Sequence, residues 1–381
     1  MTLVPASQGL FRRHARALVA SLALLVAFAW ILRAGALPLI PSGASLSRVN
    51  AWDVVGMGLL LLASTLLRLG RYQFLIAPLA PVPLKRIMSI SCVALGLLTF
   101  LPFRLGEVAR PAMLREKGKL SGWAVTGTVG AERIIDGIVF SVALLMGLSF
   151  AAPHEPLPDH IGDLPVPAAL VPRAAQVAAL GFGAAFALMA VFYWWRGLAR
   201  RITERVLGIF SARFAVRVAS TVERLSEGLR FLPDLRNTGP FLLATLVALV
   251  AQIWGIQLLA RGVGLPALSF AESSVVLGVL GLGFALPNAP GFFGAFQLAL
   301  YAGLAVYVAP ERVVNEGAVF VFLFYVIYMA QVVLLSIWGI LAEYQPPAGG
   351  SAVIGFEDAV SGASRSGEAM RKEREMTRRV P

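Results

Sequence analysis

Three charged residues at a spacing of three, Arg104, Glu107 and Arg110, follow directly on the apolar run that ends in "TFLPF". On a helix, side chains three apart are neighbours on one face, and Pro102 and Gly106 suit a break in the backbone there. Two guanidinium groups can grip a phosphate through paired N–H donors while a carboxylate between them keeps both oriented. The same residues would also make an ordinary basic flank of a membrane segment, with solvated Arg–Glu pairs worth under about 1 kcal/mol each.

A second group, "AERIID", sets Glu132 and Asp136 four apart on one helix face, with Arg133 three residues from Asp136 and able to neutralise it. A charge at the centre of a bilayer costs at least about 2.5 kcal/mol, so such residues normally face a bundle interior or water. The 19 residues from Ile134 to Ala152 could span alone and leave Glu132 and Arg133 at the interface. Asp136 falls inside that count and is the strongest candidate for a buried functional acid.

The third group is "PNAPGFFG", where Pro287, Pro290, Gly291 and Gly294 prevent a continuous helix. Irregular backbone at membrane depth is tolerated only where it is buried or lines a cavity. Asn288 could then hydrogen-bond a head group while Phe292, Phe293 and Phe296 pack against acyl chains. A hydrophobic turn on the outer surface with aromatic anchors reads equally well.

The elements that must position these residues are membrane helices. The 381 residues are 58% hydrophobic and 14% charged, with a mean hydropathy of +0.77. The net charge of +12 gathers between apolar runs, which is the pattern of topology rather than of nucleic-acid binding. Cys92 is the only cysteine, and His14, His154 and His160 are scattered in flanks and loops, so neither a disulfide framework nor a metal site is expected.

The apolar pattern predicts an all-α, polytopic bundle with about six full spans at 17–32, 54–75, 124–151, 174–195, 241–259 and 319–341. The basic flank Arg12, Arg13 and Arg16 places the N-terminus in the cytoplasm, and an even number of crossings returns the C-terminus there. Ile87–Leu101 is short, reaching about 22 Å against a core of about 30 Å, and is basic on both sides, so a re-entrant dip is expected. Ser273–Leu286 and Phe296–Val308 are also short.

The two odd segments share a pattern, L-G-L-x-x-x-L-P-x-x-x-G, at Leu95–Gly106 and Leu280–Gly291, offset by 185 residues. Three full crossings lie between them, so they predict an inverted repeat of the kind that builds transporter sites from broken helices.

Residues 1–345 are read as one membrane domain, with an amphipathic cytoplasmic linker at 196–237 that carries nine arginines and could dock a protein partner. Residues 346–381 read as a disordered basic cytoplasmic tail. Glu272, Glu311, Arg312 and Glu316 are expected at exposed outer ends, and Gln331 in a helix–helix hydrogen bond. No phosphate loop, zinc-protease motif or nucleophile elbow occurs, so no nucleotide-driven pumping and no cofactor is expected.

"LPFRLGEVAR" at 101–110, "ERIID" at 132–136 and "LPNAPGFFGAF" at 286–296, in that order, resemble the lysylphosphatidylglycerol synthase transmembrane-domain family of flippase-like proteins. The resemblance covers most of residues 15–345. It implies a multi-pass protein of the bacterial cytoplasmic membrane that moves an anionic or polyprenyl-phosphate head group between leaflets. The soluble aminoacyl-transferase domain of the full-length synthases is not expected here. A membrane-embedded transferase acting on such a lipid, with Glu107 or Asp136 as base, is the alternative, as is a non-catalytic partner of a lipid-synthesis enzyme.

Overall fold

The computed structural model describes residues 40–101, 106–118, 120–153, 157–160, 163, 170–194, 228–285 and 289–344, with isolated positions between 23 and 37. Among the described residues all regular structure is helical, and the chain is a polytopic helical bundle. The principal helices are α1 (Ala51–Gly70), α2 (Leu84–Phe100), α3 (Ala109–Gly118), α4 (Gly122–Phe150) and α5 (Leu170–Trp194), followed by α6 (Leu235–Gly262), α7 (Phe270–Ala285), α8 (Ala295–Ala305) and α9 (Glu316–Glu343). A short helix, Tyr72–Ile76, extends α1, and another, Pro310–Val314, precedes α9.

Among the described residues five segments are long and apolar enough to cross a membrane: Ala51–Ile76, Gly122–Phe150, Leu170–Val191, Leu235–Gly262 and Pro310–Glu343. They match five of the six expected spans. The sixth, 17–32, lies almost wholly outside the described residues, although Ala23, Leu25 and Trp30 are helical.

Local chemistry sets the helix starts. The Asn50 side chain accepts the Trp52 N–H at 3.1 Å and caps α1, and Asp234 does the same for Arg236 at the start of α6. At α7, Ser269 and Glu272 form a reciprocal pair: the Glu272 N–H donates to Ser269 Oγ at 3.2 Å, and the Ser269 N–H donates to Glu272 Oε2 at 2.6 Å. Glu272, expected as a plain surface acid, is thus a helix cap.

The 185-residue offset holds well beyond its motif. Shifted by 185, α1 with its extension falls on 236–261, α2 on 269–285 and α3 on 294–303, against the observed α6, α7 and α8. Each half therefore has a long helix, then two short antiparallel arms around a break, then a closing helix.

The halves are inverted. α1 and α6 run antiparallel, joined by Asp53 with Arg261, by Ser64 with Gln252 at 2.6 Å and by Arg71 with Thr245. α2 lies antiparallel on α9, where Ser89 Oγ donates to Glu343 Oε1 at 2.5 Å and Ser336 Oγ to the Cys92 carbonyl at 3.3 Å. α7 lies in the same way on α4. The first arm of each pair thus closes on the last helix of the other half, while the second, α3 or α8, packs on the last helix of its own.

Small residues permit these crossings, as in other membrane bundles. A Cβ on Gly339 of α9 would stand 2.8 Å from the Ser89 carbonyl oxygen, and one on Gly147 of α4 would stand 2.6 Å from that of Ala271. The motif glycines are equivalent too: Gly96 abuts Ser336 of α9, and Gly281 abuts Phe140 of α4.

Two boundaries differ from the sequence reading. The expected linker 196–237 overlaps α6, which starts at Leu235; residues 228–234 are turns, and 195–227 lie outside the described residues, as does the tail from 345. The charged stretch after α2, expected as the flank of a re-entrant dip, forms α3, a return arm running back along α2.

Candidate functional site

Two charged side chains that matter most come from inside the first long apolar helix. Arg68 and Arg71, three apart, project from the end of α1 toward α4. Arg71 is 1% exposed. Its Nη2 donates to Asp136 Oδ1 at 2.6 Å and Oδ2 at 2.7 Å, and stands 3.5 Å from Glu132 Oε1. Its Nη1 donates to Thr245 Oγ1 of α6, and the guanidinium lies over the Phe241 ring at 4.7 Å. Arg68 Nη2 donates to Asp136 Oδ2 at 2.9 Å.

α3 supplies the next cation. Arg110 Nη1 donates to Glu132 Oε2 at 2.6 Å, and its guanidinium stacks over the Tyr72 ring at 4.2 Å. The Tyr72 hydroxyl meets Thr128 Oγ1 at 2.6 Å. Arg133 Nε lies 3.7 Å from Glu107 Oε1, an ion pair of looser geometry.

The expected groups are therefore brought together, but with different partners. Glu107 and Arg110 do not share one helix face, because Gly106–Val108 form a 3₁₀ turn and α3 begins at Ala109; Glu107 turns to Arg133 and Arg110 to Glu132. A Cβ on Gly106 would run into the backbone of Leu97 and Leu98, so this turn folds directly against the end of α2. Glu132 is buried rather than interfacial. Asp136 is buried as expected, near the middle of the 29-residue α4, and is neutralised by Arg71 and Arg68 rather than by Arg133. Arg104 and Pro102 lie outside the described residues, as do Asn288 and Pro287.

At the second break Gly291, Phe292 and Gly294 have φ of 74°, 55° and 87°, left-handed values that end any helix. Gly291 and Phe292 are buried, and Tyr325 Oη donates to the Gly291 carbonyl at 3.0 Å. This turn packs on α2 inside the bundle, so it is not a surface turn with aromatic anchors. Phe296 is 1% exposed and stacks on Tyr328 at 5.5 Å, so it packs on protein rings and not on the bilayer. Gln331 donates to Thr65 Oγ1 at 2.9 Å, the helix–helix bond expected of it.

Between the two breaks lies a cavity of about 390 Å³. Arg68, Glu107, Arg110, Glu132, Arg133 and Asp136 form one wall; Phe284, Phe292, Phe296, Phe324 and Tyr328 form another. Among the described residues no group of three or more His, Cys, Asp or Glu side chains is arranged to hold a metal ion.

Arg68 and Arg71 escape the motif reading because they sit in a run whose hydropathy already qualifies it as a span. Their signal was nonetheless present: arginines deep in an apolar helix need a carboxylate partner, and "ERIID" supplies two.

Fold and cavity together define a multi-pass membrane protein with two inverted halves around an ion-lined interior. The chain belongs to the lysylphosphatidylglycerol synthase TM region family, whose model matches residues 16–336. Neither a curated protein nor a solved structure shows significant similarity to it.

Proposed function

We propose that this chain translocates the head group of a phospholipid or polyprenyl-linked carrier between leaflets of a bacterial cytoplasmic membrane. The observation that carries the reading is the charged cavity deep in the bundle, bounded by two broken arms that close on opposite halves. Such a site lets a polar head group leave water without entering hydrocarbon, and inverted halves offer two related conformations that open it to either side.

Charge distribution supports cytoplasmic termini. Lys85, Arg86, Arg115, Arg230 and Arg236 lie at the end of the bundle shared by the starts of α2, α4 and α6. Glu272, Glu311 and Glu316 lie at the opposite end, which also receives Asp159 and Asp163, against Arg48, Arg261 and Arg312. The basic end is the cytoplasmic one by the positive-inside rule.

The test is head-group accessibility in vesicles reconstituted with the purified chain. The unaltered protein should equilibrate a fluorescent short-chain lipid between leaflets, and Arg133→Ala, which leaves the Arg71–Asp136 pair intact, should slow it at least about tenfold. Equal rates in both would remove the site assignment, and no rate above protein-free vesicles would remove the function.

A further inference from the structure

The offset that relates the halves fails at the charged residues. Shifted by 185, Arg68, Glu107, Arg110, Glu132 and Asp136 fall on Ile253, Phe292, Ala295, Gly317 and Val321. Among the described residues the first half supplies the charged side chains of the lining, with Phe140 of α4 and Phe182 of α5 beside them, and the second supplies a wall of rings in which Phe284, Phe296 and Tyr328 pack edge-on, tilted or stacked within 5.8 Å of one another. The cavity is amphipathic along the axis joining its two halves.

The ionic wall is unbalanced in a definite sense. Each of its carboxylates already faces a guanidinium: Glu132 faces Arg110 and Arg71, Asp136 faces Arg71 and Arg68, and Glu107 faces Arg133. With Arg71 behind the wall, four guanidinium groups stand against three carboxylates among the described residues. Two buried donors on the lining, Arg110 Nε and Arg133 Nε, have no hydrogen-bond acceptor among the described residues, and Arg110 as a whole is 8% exposed. Buried donors without acceptors are costly, so the wall is built to be completed by an acceptor that carries negative charge.

From this surplus of donors and positive charge we infer that the cavity selects an amphiphile whose head is a phosphate anion without an amine, the phosphate taken by Arg110 and Arg133 and the chain laid on the aromatic wall. An ammonium-bearing head group would bring a further cation beside four guanidinium groups whose carboxylates are already engaged. A phosphate oxygen instead accepts from the two Nε donors and offsets the excess charge. The inference rests on the reading of this cavity as the lipid site, but it concerns selectivity and not movement.

Binding to the purified full-length chain in neutral detergent separates the two. The probes are dihexanoylphosphatidylglycerol, dihexanoylphosphatidylethanolamine, the lysine ester of dihexanoylphosphatidylglycerol and farnesyl phosphate, each titrated calorimetrically. At least one amine-free anion should bind about tenfold or more tighter than both amine-bearing lipids, a difference of about 1.4 kcal/mol. A preference for dihexanoylphosphatidylglycerol identifies a glycerophospholipid site and one for farnesyl phosphate a polyprenyl site. Arg133→Gln should flatten the preference and Arg133→Lys should restore part of it. Equal binding of all four probes, tighter binding of an amine-bearing lipid, or no binding at all would overturn the inference. The probe comparison uses the unaltered chain and so does not depend on how the variants fold. A chain that shows the preference yet moves no lipid in vesicles would overturn translocation and leave the selectivity standing.

Discussion

Arg71 and Arg133 share a side-chain type and a neighbourhood but differ in what their removal would leave behind. Arg71 is enclosed, bonded to Asp136 through both carboxylate oxygens and set between α1, α4 and α6. Arg71→Gln would leave Asp136 with Arg68 alone and Glu132 with Arg110 alone, and breaking such a buried pair costs about 3–5 kcal/mol. Thermal unfolding in detergent should therefore show a markedly lower midpoint and a reduced folded yield. Arg133, with a side chain 36% exposed and a 3.7 Å contact to Glu107, is worth under about 1 kcal/mol to stability. Arg133→Gln should melt within a few degrees of the unaltered protein, so any loss of ligand or transport in it reports on function. The sequence made Glu132 and Asp136 visible because charge inside an apolar helix stands out. It did not reveal their partners, because pairing between α1, α3 and α4 depends on how the helices fold together and not on spacing along any one of them.

Both breaks were readable from their prolines and glycines, whereas the helix that follows the first was not. "PNAPGFFG" announces itself through its prolines and glycines, and it ends α7 and turns the chain into α8 through three consecutive or near-consecutive left-handed residues. α3 gave no such warning: "ARPAMLREKG" is charged enough to pass for a cytoplasmic loop, and its helix forms because it lies against α2 and α4. Tertiary contact overrode a weak local preference there. At the second break Gly291→Ala should cost about 1–3 kcal/mol, because its φ of 74° disfavours a side chain and a Cβ would come 3.0 Å from Tyr325 Oη. Tyr325→Phe removes the bond to the Gly291 carbonyl and should cost about 1 kcal/mol. Since both act on one contact, the double variant should lose less than the sum of the two, which a melting-curve cycle would measure.

At the scale of the whole molecule, the inverted halves fix which ends share a side of the membrane. In a Cys92→Ser background, single cysteines at Ser47 and Glu311, both exposed, should react with a membrane-impermeant thiol reagent from one side. Cysteines at Arg115 and Arg236 should react only from the other. Labelling of Ser47→Cys and Arg236→Cys from a common side would contradict the antiparallel packing of α1 and α6. The 185-residue motif made the inversion legible from twelve residues in each half. The breaking of that symmetry at the ionic wall has a consequence of its own. Were the halves alike in chemistry, the conformation open to one face and its mirror would have equal free energy and be equally populated. With the described charged side chains drawn from the first half and Phe284, Phe292, Phe296, Phe324 and Tyr328 from the second, that degeneracy is lifted, and under the translocation proposed above the empty protein is expected to favour the conformation open to a single face of the membrane.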